Sequence, residues 1–152
     1  IRRQRQMCIR DSRMAARIFL AVFGLFSLPY GIYCFLQPGF LADFAGVGSL
    51  STTGTIELQA MYGGLQTGFG ALALFGALRP AYAPTILLAT AFQCLGLGSF
   101  RLMGALGASE FSAYTSQGIA FELGSTLIAF LLWRAASQQA AAAPANAAGA
   151  VR

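Results

Sequence analysis

The sequence predicts an all-α fold, a transmembrane four-helix bundle with both termini in the cytoplasm, and three observations predict it. First, 57% of the 152 residues are apolar and only 10% charged, with a mean hydropathy of +0.64, where an ordinary soluble domain carries ~25% charged residues. Second, four apolar runs recur at about 15–36, 55–78, 82–104 and 113–134, each near the ~20 residues a helix needs to cross a ~30 Å hydrocarbon core. Third, there is no lysine, and Arg13, Arg17, Arg79 and Arg134 flank these runs at alternate ends, while Asp43 and Glu110 occupy the other two connections. The positive-inside rule then places both termini and the Arg79 turn in the cytoplasm.

The first run follows "MCIRDS" (Met7 to Ser12), which reads as the translation of one frame of a transposon-derived adapter end used in sequencing libraries. Residues 1–13 are therefore expected to be a non-native leader, the adapter proper ending at Ser12, with the spanning domain opening at Met14, "MAARIFLAVFGLF". Four arginines and one aspartate of the net +5 lie in residues 1–12, so the basic balance identifies no nucleic-acid partner. The run itself is a span and not a cleaved signal, because it is long, contains Pro29, Tyr30 and Tyr33, and lacks an A-x-A site. Its aromatic stripe, Phe19, Phe23, Phe26, Tyr30 and Tyr33, reads as packing or lipid contact.

"QPGF" (Gln37 to Phe40) and "GVGSLSTTGT" (Gly46 to Thr55) close the first run and open the second. On the second, Gln59, Tyr62, Gly63, Gln66 and Gly70 share one face, and Ala60, Gly64, Gly68 and Gly76 another. Gly63, Gly64 and Gly68 are the expected helix-packing positions, Gly64 and Gly68 forming a G-x-x-x-G pair that lets backbones approach closely. "RPAYAP" (Arg79 to Pro84) turns into the third run, where Thr90, Cys94, Leu97 and Arg101 align with Gln93 beside them, and "GASEFS" (Gly107 to Ser112) turns into the fourth. There Tyr114, Gly118, Glu122, Ser125, Thr126 and Ala129 form a small and polar stripe. The alanine-rich segment 136–152 is expected to be a flexible cytoplasmic tail.

Ionisable groups at membrane depth cost roughly 2.5–3.5 kcal/mol each on insertion scales, so they mark functional candidates. Glu57, Arg101 and Glu122 are these groups, and Tyr62, Gln66 and Gln93 complete the candidate intramembrane polar site. Arg101 and Glu57 each lie 22 residues from Arg79, which at ~1.5 Å per residue puts both ~33 Å from the cytoplasmic edge. Glu122, 12 residues before Arg134, is expected ~18 Å up, near mid-membrane. Three bland readings stand beside these: Glu57 in the first helical turn complements the helix dipole, Arg101 anchors at the interface, and Glu122 bonds Gln66 or Tyr62 structurally. The three charges sum to minus one, so one carboxyl is expected to be protonated or matched by a cation.

The chain has no histidine, which removes an imidazole base and any histidine-ligated haem, zinc or copper. Cys34 and Cys94, in no C-x-x-C spacing and at comparable depth, read as small residues filling helix contacts. No catalytic residue, metal or cofactor is predicted.

"ELQAMYGGLQTGFGALALFGALRP" (Glu57 to Pro80), with "YGIYCFLQPGF" before it and "GLGSFRLMG" and "FELGSTLIAFLLWR" after it, resembles a family of small bacterial four-helix membrane proteins catalogued as a domain of unknown function. The resemblance covers Met14 to Arg134 and implies no activity, substrate or catalytic residue. More remotely the architecture is similar to DoxX-like membrane proteins, some linked to quinone and thiol redox chemistry. The expected protein is a multi-pass component of the bacterial inner membrane, with a non-enzymatic role favoured and enzymatic activity left open. It binds or moves a small molecule at the polar site, or serves as a redox-associated subunit, or holds a partner structurally. Its expected partners are the lipid bilayer, a small-molecule ligand, and a second copy or another membrane protein.

Overall fold

The structure is a computed structural model that describes the backbone of residues 2–148 and the side chains of 12–138. Ile1, the side chain of Cys8 and the last four residues of the expected tail lie outside the described residues. Six α-helices follow in order: α1 (Arg2–Leu36), α2 (Phe40–Ala45), α3 (Thr52–Leu58), α4 (Leu65–Leu78), α5 (Ala83–Leu106) and α6 (Ala113–Ala148). A π-helical segment, Gln59–Gly64, joins α3 to α4 without a break in the helical backbone.

Among the described residues three helices are long and apolar enough to cross a membrane, over Ser12–Leu36, Ala83–Leu106 and Ala113–Gln138. Small residues fill much of the interior beside Leu20, Leu41 and Leu87, and many large apolar side chains face outward. Ala16, Ala73, Ala77, Ala91, Ala129, Cys94 and Thr90 are buried, whereas Leu25, Phe26, Phe92, Phe100 and Leu127 stand exposed on the outside. Small residues inside and large apolar residues outside suit a lipid surround, since helices in lipid associate through close backbone approach and the large side chains face the tails.

α1 packs chiefly on the π segment and α4, and α5 chiefly on α6. The first pairing is antiparallel: Phe35 meets Gln59, Gly31 meets Thr67, Leu28 meets Gly70, Gly24 meets Leu74, and Arg17 meets Ala77. Glycines spaced by seven on both helices, Gly24 with Gly31 and Gly63 with Gly70, make this approach. A Cβ on Gly63 would stand 2.8 Å from Phe35 Cβ, and one on Gly70 would run into the Leu28 main chain.

Two side chains lock the ends of that pair. Gln59 Nε2 donates to the Phe35 carbonyl at 2.9 Å, and Arg17 Nε donates to the Ala77 carbonyl at 2.9 Å. Each satisfies one of the orphan carbonyls at a helix C-terminus, which in lipid have no water to turn to.

Three expectations are corrected. Gly64 and Gly68 are exposed, with open space where a side chain would go, so of the predicted packing glycines only Gly63 makes the contact. The close approach uses the neighbouring face, because α1 brings its own glycines to Gly63 and Gly70. Helix two begins at Thr52, three residues early, since Ser51 Oγ accepts from the Gly54 N–H at 3.1 Å as an N-cap. Glu57 therefore falls beyond the first turn. The expected loop after the first span contains a short helix, α2, closed by Gly46 in the left-handed region at φ 67°. The helical backbone also runs through both flanking segments, α6 over 135–148 and α1 from Arg2. Alanine, arginine and glutamine are strong helix formers, and both segments simply prolong a helix already nucleated by the span.

Candidate functional site

Arg101 on α5 and Glu122 on α6 meet in a bidentate ion pair, Nε donating to Oε2 at 3.0 Å and Nη2 to Oε1 at 2.8 Å. Two glycines make room for it. A Cβ on Gly98 would stand 3.1 Å from Glu122 Cβ, and a Cβ on Gly118 would stand 3.1 Å from Arg101 Nε. The small stripe of the fourth run thus lets the arginine cross from its own helix to the carboxylate. The pair is asymmetric in burial: the Glu122 side chain is 9% exposed and Arg101 26%.

The depth expectation for Glu122 is corrected by the same contacts. Gly98 faces Glu122, while Ala136, not Arg134, shares a cleft with Ala83 at the start of α5. Arg134 is consequently not level with Arg79, and counting from it placed Glu122 too low. The expected surplus negative charge is also resolved locally, because Glu122 is matched by Arg101 and Glu57 is exposed.

Tyrosines from separate helices surround the pair. The Arg101 guanidinium lies over the Tyr114 ring, its carbon 5.9 Å from the centroid, within range of a cation–π attraction. The Tyr114 hydroxyl shares a hydrogen bond with that of Tyr30 on α1 at 3.0 Å. Cys34, one turn further along α1, is buried. Tyr62 and Cys94 lie close enough to this group to sense its charges. α2 closes this end through an aromatic chain: Tyr33 to Phe40 at 5.0 Å, Phe40 to Phe44 at 4.9 Å, and Phe44 edge-on to Tyr114 at 6.1 Å.

Tyr62 reaches the group from the π segment. There the Leu65 N–H reaches back five residues to the Ala60 carbonyl, adding a residue to one turn. The adjacent Gly63–Gly64 pair offers little resistance to such a distortion, and π turns recur where a helix must aim a side chain.

Of the six predicted site residues, the structure brings Arg101, Glu122 and Tyr62 together. Glu57 is exposed and outside the group. Gln66 makes no bond to Glu122, and the Gln93 Oε1 is buried without a partner among the described residues. Thr126 bonds the Glu122 main-chain carbonyl at 2.8 Å, a back-bond that leaves the carboxylate for Arg101. Tyr30 is the residue the sequence reading missed, because it sits within a phenylalanine stripe. The available signal was its hydroxyl, which needs a partner when the stripe is buried. The two cysteines are free and buried, as small residues at helix contacts were expected to be.

An all-helical chain with three spanning-length apolar helices, many large apolar side chains on its outside and an ion pair between two of those helices points to a multi-pass membrane protein. It belongs to the family described as a domain of unknown function, DUF4345, whose profile matches residues 15–133. No curated protein and no solved structure matches the chain.

Proposed function

We propose that this is a four-span protein of the bacterial inner membrane, both termini cytoplasmic, that binds a small hydrogen-bond-accepting or anionic molecule at the Arg101–Glu122 site. The fourth span is Thr52 to Leu78, whose 27 residues would measure ~40 Å at ~1.5 Å per residue. It accompanies α1 from Phe35 to Arg17 and so reaches the same depth. Arg17, Arg79 and Arg134 gather toward one end of the molecule, and Asp43, Glu57 and Glu110 toward the other, which supports the cytoplasmic assignment of the arginine end.

The observation that carries the binding reading is the unused donor capacity of the pair. A guanidinium has five N–H groups, and Glu122 occupies two of them. The Tyr62 hydroxyl adds a donor nearby, while those of Tyr30 and Tyr114 are bonded to each other. Both Glu122 carboxylate oxygens are engaged while three guanidinium N–H groups are not taken by Glu122, so the site offers donors and favours an acceptor over the cationic ligand the sequence alone left open. Binding and release of such a molecule, not bond chemistry, is the activity we infer.

Benzoate and benzylammonium serve as probes of opposite charge in thermal-shift measurements on the detergent-purified protein. Benzoate should raise the melting temperature of the wild type and leave the Arg101→Gln/Glu122→Gln double variant unmoved. An equal response of the double variant, or a response to benzylammonium alone, would overturn the proposal. Native mass spectrometry of the same preparation should show a small acidic mass carried by the wild type.

A further inference from the structure

The geometry points to a second binding site, independent of the first, for the phosphate of an anionic phospholipid at the arginine end of the molecule. A cleft of about 240 Å³ opens there between the start of α1, the turn into α5 and α6, lined by Arg13, Arg17, Pro80, Pro84, Leu87 and Ala136 among others. Arg13 and Arg17 are one turn apart and project into it from one face of α1. Arg17 lies within the residues matched by the family and carries the site, whereas Arg13 falls before them, in the 1–13 segment expected to be a non-native leader, and adds to the site in this chain.

Arg17 is held in place. Its Nε is spent on the Ala77 carbonyl, which fixes the side chain across the helix pair and leaves its two terminal amino groups free of any other bond in the described structure. Arg13 is exposed and in no ion pair with the described side chains. The lining contains no carboxylate, so the two guanidinium groups are uncompensated within the cleft. α5 opens on the same cleft with Ala83 and Pro84, and a helix N-terminus adds positive potential. Pro84 contributes no N–H, so hydrogen bonding there falls to the arginines.

Position selects the source of the phosphate. The cleft lies at the ends of apolar spans beginning near Ser12 and Ala83, the level of the headgroups, and Leu87, Pro80 and Ala16 supply apolar walls for the glycerol and upper acyl chain. A guanidinium binds phosphate through paired N–H groups, and basic pockets between spanning helices suit anionic headgroups. Phosphatidylglycerol, with one uncompensated negative charge, fits this cleft, whereas the ammonium of phosphatidylethanolamine would meet the arginines.

Native mass spectrometry of the full chain from mixed micelles of phosphatidylglycerol and phosphatidylethanolamine tests it. Phosphatidylglycerol should be retained preferentially, and Arg13→Gln should reduce retention about fivefold, the equivalent of ~1 kcal/mol per arginine near the surface. Arg17→Gln should reduce it at least as much, while Arg17→Lys, which keeps a cation, should recover most of it. Arg134→Gln, at the same end but outside the cleft, should leave it unchanged. Equal losses in Arg13→Gln and Arg134→Gln would reduce the effect to general surface charge and overturn the site. Inorganic phosphate that raises the melting temperature as much as phosphatidylglycerol would overturn the lipid assignment.

Discussion

Arg101 and Glu122, 21 residues apart, clasp each other through two hydrogen bonds of 3.0 and 2.8 Å and so tie α5 to α6 where both are flanked by glycine. Within a membrane neither charge has water to fall back on, so each depends on the other. Single Gln substitutions at either position should lower thermal stability, and the double variant should recover part of the loss. A coupling energy of about 1–3 kcal/mol is expected from the cycle. Additive losses would mean that the two residues act separately.

The glycine contacts of α1 with α4 predict opposite outcomes for neighbouring positions. Gly70→Ala would drive a methyl group into the Leu28 backbone, and overpacking of this kind costs about 1–3 kcal/mol. Gly68→Ala meets open space and should be neutral or stabilising by up to ~1 kcal/mol, the helix-propensity difference. Melting temperatures of the two variants compare them directly, and equal destabilisation would contradict the packing described.

Tyr30 and Tyr33 offer a similar contrast on α1. Tyr30→Phe removes the bond to the Tyr114 hydroxyl at 3.0 Å and should cost about 1 kcal/mol. Tyr33 is exposed and packs by its ring against Phe40, so Tyr33→Phe should be near neutral in the same unfolding assay.

Orientation can be read by thiol labelling in intact cells. Cys34 and Cys94 are buried and should react slowly, leaving a quiet background. Asp43→Cys and Glu110→Cys, both at exposed positions, should react with an impermeant maleimide from outside, and Arg79→Cys only after permeabilisation. Labelling of Arg79→Cys alone would invert the proposed topology.

Composition and the length of apolar runs determined the helical, membrane-type character of this chain, because crossing a hydrocarbon layer demands that backbone groups be satisfied within one segment. The positions of the polar residues in those runs singled out Arg101, Glu122 and Tyr62 for the same reason: such groups are too costly at that depth to be incidental. Periodicity could not say which of two glycine faces on the second helix meets α1. That depended on Gly24 and Gly31 arriving from a segment about forty residues away in sequence, and on a π turn that shifts the helical phase. Nor could counting from the arginines set the register of α5 against α6, which is decided by Gly98 and Gly118 admitting the Arg101 side chain. Tyr30 joined the site only when antiparallel packing carried its hydroxyl to Tyr114. A helix face is legible from spacing along one chain segment, whereas the partner that covers it is a property of contact between segments, which only the tertiary structure decides.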